Sequence, residues 1–244
     1  MTSTDLTPQL DDVGGDAGGG DDDPGDDEHL PWWGVRITWL RLLALLVVVA
    51  FVSGAAVYAA TTPKAPSAHG VDVGFYQDMS FHHEQAVQMS EIEEQNGSDE
   101  VVLSYAAEII REQSYEMGLM AAMLQRYGDS TAAGTTVMGW MGPALPRDQM
   151  PGLATAAQLN QLRDAKGLAA DRLFLELMAA HHEGGIHMAT YAYHYAKLAS
   201  VRKLAQKMAW NQAVEVNELR QVSQERNLGA NVPAAQTTVP DPLA

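Results

Sequence analysis

The chain has 244 residues, enough for one ordinary domain with appendages. It carries 15 basic and 31 acidic side chains for a net charge of −16, and ten of the acids fall in residues 1–31, so residues 36–244 net only −6. A nearly neutral body without a basic stripe speaks against nucleic-acid binding, and the absence of Cys excludes disulfide and thiolate chemistry.

Residues 1–31 are Asp- and Gly-rich with almost nothing apolar to bury, which predicts a disordered acidic tail. Residues 37–60 follow as a predicted transmembrane signal-anchor helix. Leu42 to Ala60 carries no charge and would rise about 28 Å, close to the thickness of a bilayer core. Trp32, Trp33 and Trp39 suit an interfacial belt. Arg36 and Arg41 lie on the N-terminal flank and only Lys64 follows closely, so the positive-inside rule predicts a cytoplasmic N-terminus and an extracytoplasmic domain in a single-pass cell-membrane protein. A cleaved signal peptide, with small residues near Ala55–Ala60, is the competing reading, and it would need an n-region of about forty residues. Residues 61–70 read as a flexible linker.

Beyond the linker, residues 71–228 predict four long helices. The first runs from about Asp72 to Gln95. The second follows the turn Asn96-Gly97-Ser98-Asp99 and ends at Gly128. A Gly/Pro/Met-rich loop over 129–154 and a short helix near Thr155–Ala165 lead to the third, Leu168–Leu198, and the fourth, Ser200–Asn227. Residues 229–244 read as a disordered tail. The prediction is an all-α antiparallel four-helix bundle made of two tandem hairpins, preceded by one transmembrane helix.

The hairpins repeat a motif at an offset of 99 residues: Met79-Ser-Phe-His82-His83-Glu84 and Met178-Ala-Ala-His181-His182-Glu183. The same offset carries Met89 onto Met188, Asp72 onto Asp171, Gln113 onto Gln212 and Glu116 onto Glu215, whereas Met120 becomes Leu219. A first turn near residue 98 levels His83 with Gln113, and Met79 with Met117, flanked by Glu116 and Met120. The second hairpin levels His182 with Gln212 and Met178 with Glu215. His82 lies about 100° round the helix from His83, so at most one of each pair is expected to point fully inward. Met89 is about 15 Å along the axis from Met79 and belongs to a separate site or to the core. The first and third long helices are expected to run parallel, with both His pairs at one depth.

Thioether and imidazole without thiolate suit Cu(I) or Ag(I), whereas Glu116 and Glu215 would favour iron or manganese. Neither repeat contains the Glu-x-x-His of di-iron bundles. The bland alternative is a His-His pair serving as a hydrogen-bonding device at the core edge. Glu84 and Glu183 are expected on the surface, and His187 and His194 in a supplementary role.

The segments from Asp72 to Met89 and from Asp171 to Met188, with Met150-Pro-Gly-Leu-Ala-Thr between them, resemble the bacterial "domain of unknown function 305" family. The resemblance covers about residues 70–225. It implies a ferritin-like bundle, exported or membrane-anchored, with some relatives associated with copper or silver binding and copper tolerance. By motif it carries over Met79, His82, His83, Met89, Met178, His181, His182 and Met188, and the pairs Gln113/Glu116 and Gln212/Glu215.

The resulting expectation is a membrane-tethered Cu(I) protein that sequesters or passes on metal rather than catalysing. Met79/His83 and Met178/His182 would be its ligands, assisted by His82, His181 and Met120, with Glu116 and Glu215 outside or substituting. The alternatives are a ferritin-like iron or manganese redox enzyme and a metal-free bundle that binds an envelope partner.

Overall fold

The computed structural model describes residues 38–61, 66–129 and 134–243. The predicted acidic tail lies outside them. Among the described residues the protein is all-helical, with six α-helices and one two-stranded ribbon, and it divides into two units at Thr62/Pro63.

The first unit contributes α1, Trp39–Thr61, uncharged beyond Arg41 in its first turn and with none of its residues buried. A helix without a polar face is made for an apolar surrounding. Among the described residues it alone is long and apolar enough to cross a membrane.

The second unit holds α2 (Val71–Asn96), α3 (Glu100–Tyr127), β1 (Thr136–Val137), β2 (Leu145–Pro146), α4 (Ala156–Asp164), α5 (Leu168–Tyr195) and α6 (Ala199–Glu225). Local signals place the ends. The Asp99 side chain accepts from the Val101 and Val102 amides to cap α3, and Thr155 with Gln158 forms a capping box on α4. Gly128, with a φ of 76°, stops α3 in the left-handed conformation. Among its described residues, the loop predicted for 129–154 contains the β1–β2 ribbon and a 3-10 turn at Arg147–Gln149. Two-residue strands leave no alternation to read.

Helices α2 and α3 form one hairpin and α5 and α6 the other, and the two meet mainly along α2 and α5. These two helices run antiparallel, not parallel as the repeat suggested. Asp72, at the start of α2, accepts from the Lys197 and Leu198 amides beyond the end of α5. Asp171, at the start of α5, accepts from Ser98 and Asp99 beyond the end of α2. The two duplicated aspartates therefore tie opposite ends of one seam. The physical reason is the connection. The chain leaves α3 beside the start of α2 and enters α5 beside the end of α2, and the described part of the connection, residues 134–167, travels the length of the seam. Asn96 receives α4 at the far end, donating to the Leu162 and Arg163 carbonyls.

Residues 229–243, read from sequence as a disordered tail, pack back along α6. Asn217 bonds both the amide and the carbonyl of Ala235, Gln206 donates to the Pro240 carbonyl, and Val232, Ala235 and Val239 are buried. Small apolar residues at irregular spacing show neither helical nor strand period, which is why pattern alone misses them.

Candidate metal centre

The seam passes through the histidines. His82 and His83 are both fully buried, as are His181 and His182, which corrects the expectation of at most one inward-facing residue per pair. Each helix has two neighbours, so a turn of about 100° aims the two rings at different partners. His82 of α2 meets His181 of α5 with ring centroids 3.7 Å apart and planes inclined by 35°. His83 turns to α3, where its Nε2 lies 3.0 Å from Glu116 Oε2. His182 turns to α6, where its Nε2 lies 2.6 Å from Glu215 Oε2. The partner of each His is thus the Glu, one turn beyond the Gln that simple levelling picked out. Gln113 and Gln212 are buried at the same helices with their Oε1 atoms unpartnered.

The ring nitrogens sort into two kinds. Nε2 of His83 and His182 each faces a carboxylate oxygen, and Nε2 of His181 faces the His82 carbonyl at 2.9 Å. An N–H at Nε2 that donates to these acceptors leaves Nδ1 as a lone pair. The Nδ1 atoms of all three are buried without a partner, and so are both nitrogens of His82. The Pro151 carbonyl sits beside the His82 ring without forming a hydrogen bond of ordinary geometry. Burial, then the neighbouring His83 and His182, holds His82 well below the usual imidazole range; burial, then His82, does the same to His181. Neutral imidazoles are the form a metal ion takes up. A ligating His commonly donates its other nitrogen to a carboxylate or a backbone carbonyl, and that is the bonding pattern of these three rings.

Burial is the largest single influence on Glu215 and raises it, but the hydrogen bond and charge of His182, with the Glu112 hydrogen bond and His83, together leave it below the usual carboxylate range. Glu112, absent from the sequence reading, approaches Glu215 from α3; burial, then Glu215, pushes its pKa up. Its spacing of four residues from Glu116 put both on one helix face and was the available signal.

The methionines flank the histidine layer on two sides. Because α2 and α5 run antiparallel, Met79 shares a core cluster with Met188 and Met120, while Met178 shares another with Met89. All five are fully buried. Met89 and Met79 fall in different clusters, and the cluster partner of Met89 is Met178 of the other repeat. Leu219, which replaces Met120 in the second half, falls in the Met178 cluster, so the thioether supply is uneven. Glu84 and Glu183 are exposed as expected, and so are His187 and His194. Among the described residues no three His, Asp or Glu side chains gather tightly enough to hold a metal ion by themselves.

The family model described as "Domain of unknown function (DUF305)" matches residues 72–223. No curated protein matches the chain. A DUF305 protein of Streptomyces coelicolor, described as secreted, has been solved; it is 33% identical with a TM-score of 0.62 over 68% of this chain and 98% of its own. A DUF305 fragment from Deinococcus radiodurans is 27% identical with a TM-score of 0.57, covering 67% and 99%. CopM in a Cu(I)-bound form is 24% identical with a TM-score of 0.49 over 64% and 96%, too distant to say what this chain binds. With its duplicated histidine motifs meeting at one seam and the family model spanning both hairpins, the chain belongs to the DUF305 family.

Proposed function

We propose that this chain is a membrane-anchored, extracytoplasmic protein whose ferritin-like four-helix bundle binds a soft monovalent ion, Cu(I) or Ag(I), for sequestration or transfer. The observation that carries the reading is the set of buried imidazole nitrogens without partners: both of His82 and Nδ1 of His83, His181 and His182. A buried polar atom left unpaired costs about 1–3 kcal/mol, and four histidines in one layer concentrate that cost where a ligand would recover it. The flanking thioethers of Met79, Met120 and Met188, and of Met89 and Met178, supply soft donors that an imidazole layer alone lacks. Glu116 and Glu215 each direct an oxygen to a His Nε2, so they orient ligands rather than act as ligands.

The anchor is supported by the apolar α1 and by the arginines on its N-terminal flank. The iron or manganese reading rests on Glu112 drawing near Glu215, which adds a third carboxylate beside Glu116. One titration separates the two. The full chain in detergent is challenged with Cu(I), Ag(I), Fe(II) and Zn(II) against competing chelators, beside a His83→Ala/His182→Ala variant. Retention of Cu(I) and Ag(I) by the parent and their loss from the variant is the expected result. Retention of Fe(II) with oxygen consumption would replace it with the redox reading, and no retention by the parent would end both.

A further inference from the structure

Met150–Ala154, midway along the connection between the hairpins, crosses the α2–α5 seam at the level of His82 and His181. It is held at two positions that are equivalent in the repeat, Gln85 and Gly184. Gln85 grips with its side chain: Nε2 donates to the Ala154 carbonyl at 3.0 Å and Oε1 accepts from the Ala154 amide at 2.6 Å. Gly184 admits the strap by having no side chain. A Cβ there would lie 2.3 Å from the Pro151 carbonyl oxygen and 2.8 Å from the Gly152 Cα. Gly152 has a φ of 86°, and a Cβ on it would stand 2.7 Å from the His181 carbonyl oxygen.

The strap also breaks the symmetry of the histidines. His181 bonds to the His82 carbonyl. The mirror contact, from the His82 ring to the His181 carbonyl, is not made: Gly152 lies against that carbonyl, and the His82 ring stands beside the Pro151 carbonyl with both nitrogens unpartnered. Two side-chain hydrogen bonds and two buried ends, Met150 and Ala154, hold the segment, against a whole core for α2 and α5. Such a segment opens locally far more readily than the helices it covers.

We infer that the strap Met150–Ala154, latched by Gln85 and seated on Gly184, is the gate through which an ion reaches the His82–His181 pair. The inference rests on the soft-ion reading for what passes, but the gate itself has a metal-free readout. The full chain in detergent is treated with diethyl pyrocarbonate, and acylation of each His is followed by mass spectrometry, with exposed His187 and His194 as internal references. Gln85→Ala removes the latch, and Gly184→Ala independently pushes the strap off its seat. Gln85→Ala, which removes two hydrogen bonds, should speed His82 acylation by about tenfold or more, and Gly184→Ala, acting by steric clash, should speed it in the same direction. His83 and His182, which face the carboxylate sides, should keep the parent's rate. Cu(I) uptake from a chromophoric chelator should quicken by a similar factor, with equilibrium affinity changed by less than about threefold.

An unchanged His82 rate in both variants would overturn the gate. So would equal acceleration of all four buried histidines with a lowered melting point, because the strap would then be a stability element only. Faster His82 acylation with no Cu(I) or Ag(I) taken up by parent or variant would uphold the gate and remove the soft-ion reading instead.

Discussion

Replacing Glu93 with Gln should make the protein more stable at neutral pH and flatten its response to alkali. Glu93 is fully buried in the last turn of α2, and its carboxyl faces that of Asp171 beneath Gly97. A Cβ on Gly97 would lie 2.2 Å from Glu93 Oε1 and 2.7 Å from Asp171 Oδ1. Asp171 already accepts from the Ser98 amide at 2.9 Å, the Ser98 hydroxyl at 3.0 Å and the Asp99 amide at 3.2 Å. Neither Glu93 oxygen has a hydrogen-bond partner of ordinary geometry, so beside the Asp171 carboxylate the buried group is held as the neutral acid. Burial, then Asp171, pushes the Glu93 pKa up from 4.5 to about 9.

Between those values the folded chain holds a proton that the unfolded chain has lost. The contribution to stability is therefore fully present below about 4.5 and falls as pH rises toward about 9. The slope is at most about 1.4 kcal/mol per pH unit and is reached only once the unfolded chain has lost its proton, above about 4.5. From pH 5 to pH 7 this group should cost the parent about 2 kcal/mol, or about 4–8 °C in melting temperature. Gln keeps the donor and does not titrate. Melting curves by circular dichroism at pH 5, 6, 7 and 8 should show the gap between variant and parent widening in the variant's favour as pH rises. Parallel pH profiles, or a variant less stable than the parent at pH 8, would refute a buried neutral Glu93.

Other perturbations test other parts. Asp78→Ala should cost about 2–3 kcal/mol and disturb near-ultraviolet dichroism, because buried Asp78 holds the Met138 amide at 2.6 Å and the Trp140 Nε1 at 2.8 Å. Met138 sits at a φ of 66°, so that amide bond also secures an unfavoured backbone. Leu219→Met should raise affinity for Ag(I) in calorimetric titrations and Met79→Leu should lower it. Both changes nearly conserve volume, so stability should move by less than about 1.5 kcal/mol. In the Glu93→Gln background, acidification below about 6.5 should destabilise the fold, since His82 and His181 are held below their unfolded pKa and take up protons only on unfolding. A flat denaturation profile from pH 6.5 to 4.5 would contradict that.

The long helices were legible because each has a periodic apolar face and a readable end, such as Asp99 before α3 and Gly128 after it. The pairing of duplicated residues across each hairpin was legible to within one turn, with Glu116 and Glu215 as the actual partners of His83 and His182. The relative direction of α2 and α5 was not. A repeat fixes what each hairpin looks like and says nothing about the axis relating the two copies. The reversal became visible only through Asp72 and Asp171, whose long-range amide partners tie opposite ends of the seam. The burial of all four histidines follows from the same seam, because a helix with partners on two sides has two inward faces. The strap stayed hidden for a local reason: Pro151 and Gly152 look like any turn until Gly184 and Gln85 are seen to receive them.

On the proposed function, imidazole and thioether donors from the seam hold one ion together, and copper K-edge X-ray absorption on the Cu(I)-loaded full chain reads that shell. A mixed shell with imidazole nitrogen and at least one sulfur is expected, with the sulfur contribution falling in Met79→Leu and Met178→Leu variants. A shell of nitrogen and oxygen alone, unchanged in both variants, would contradict it.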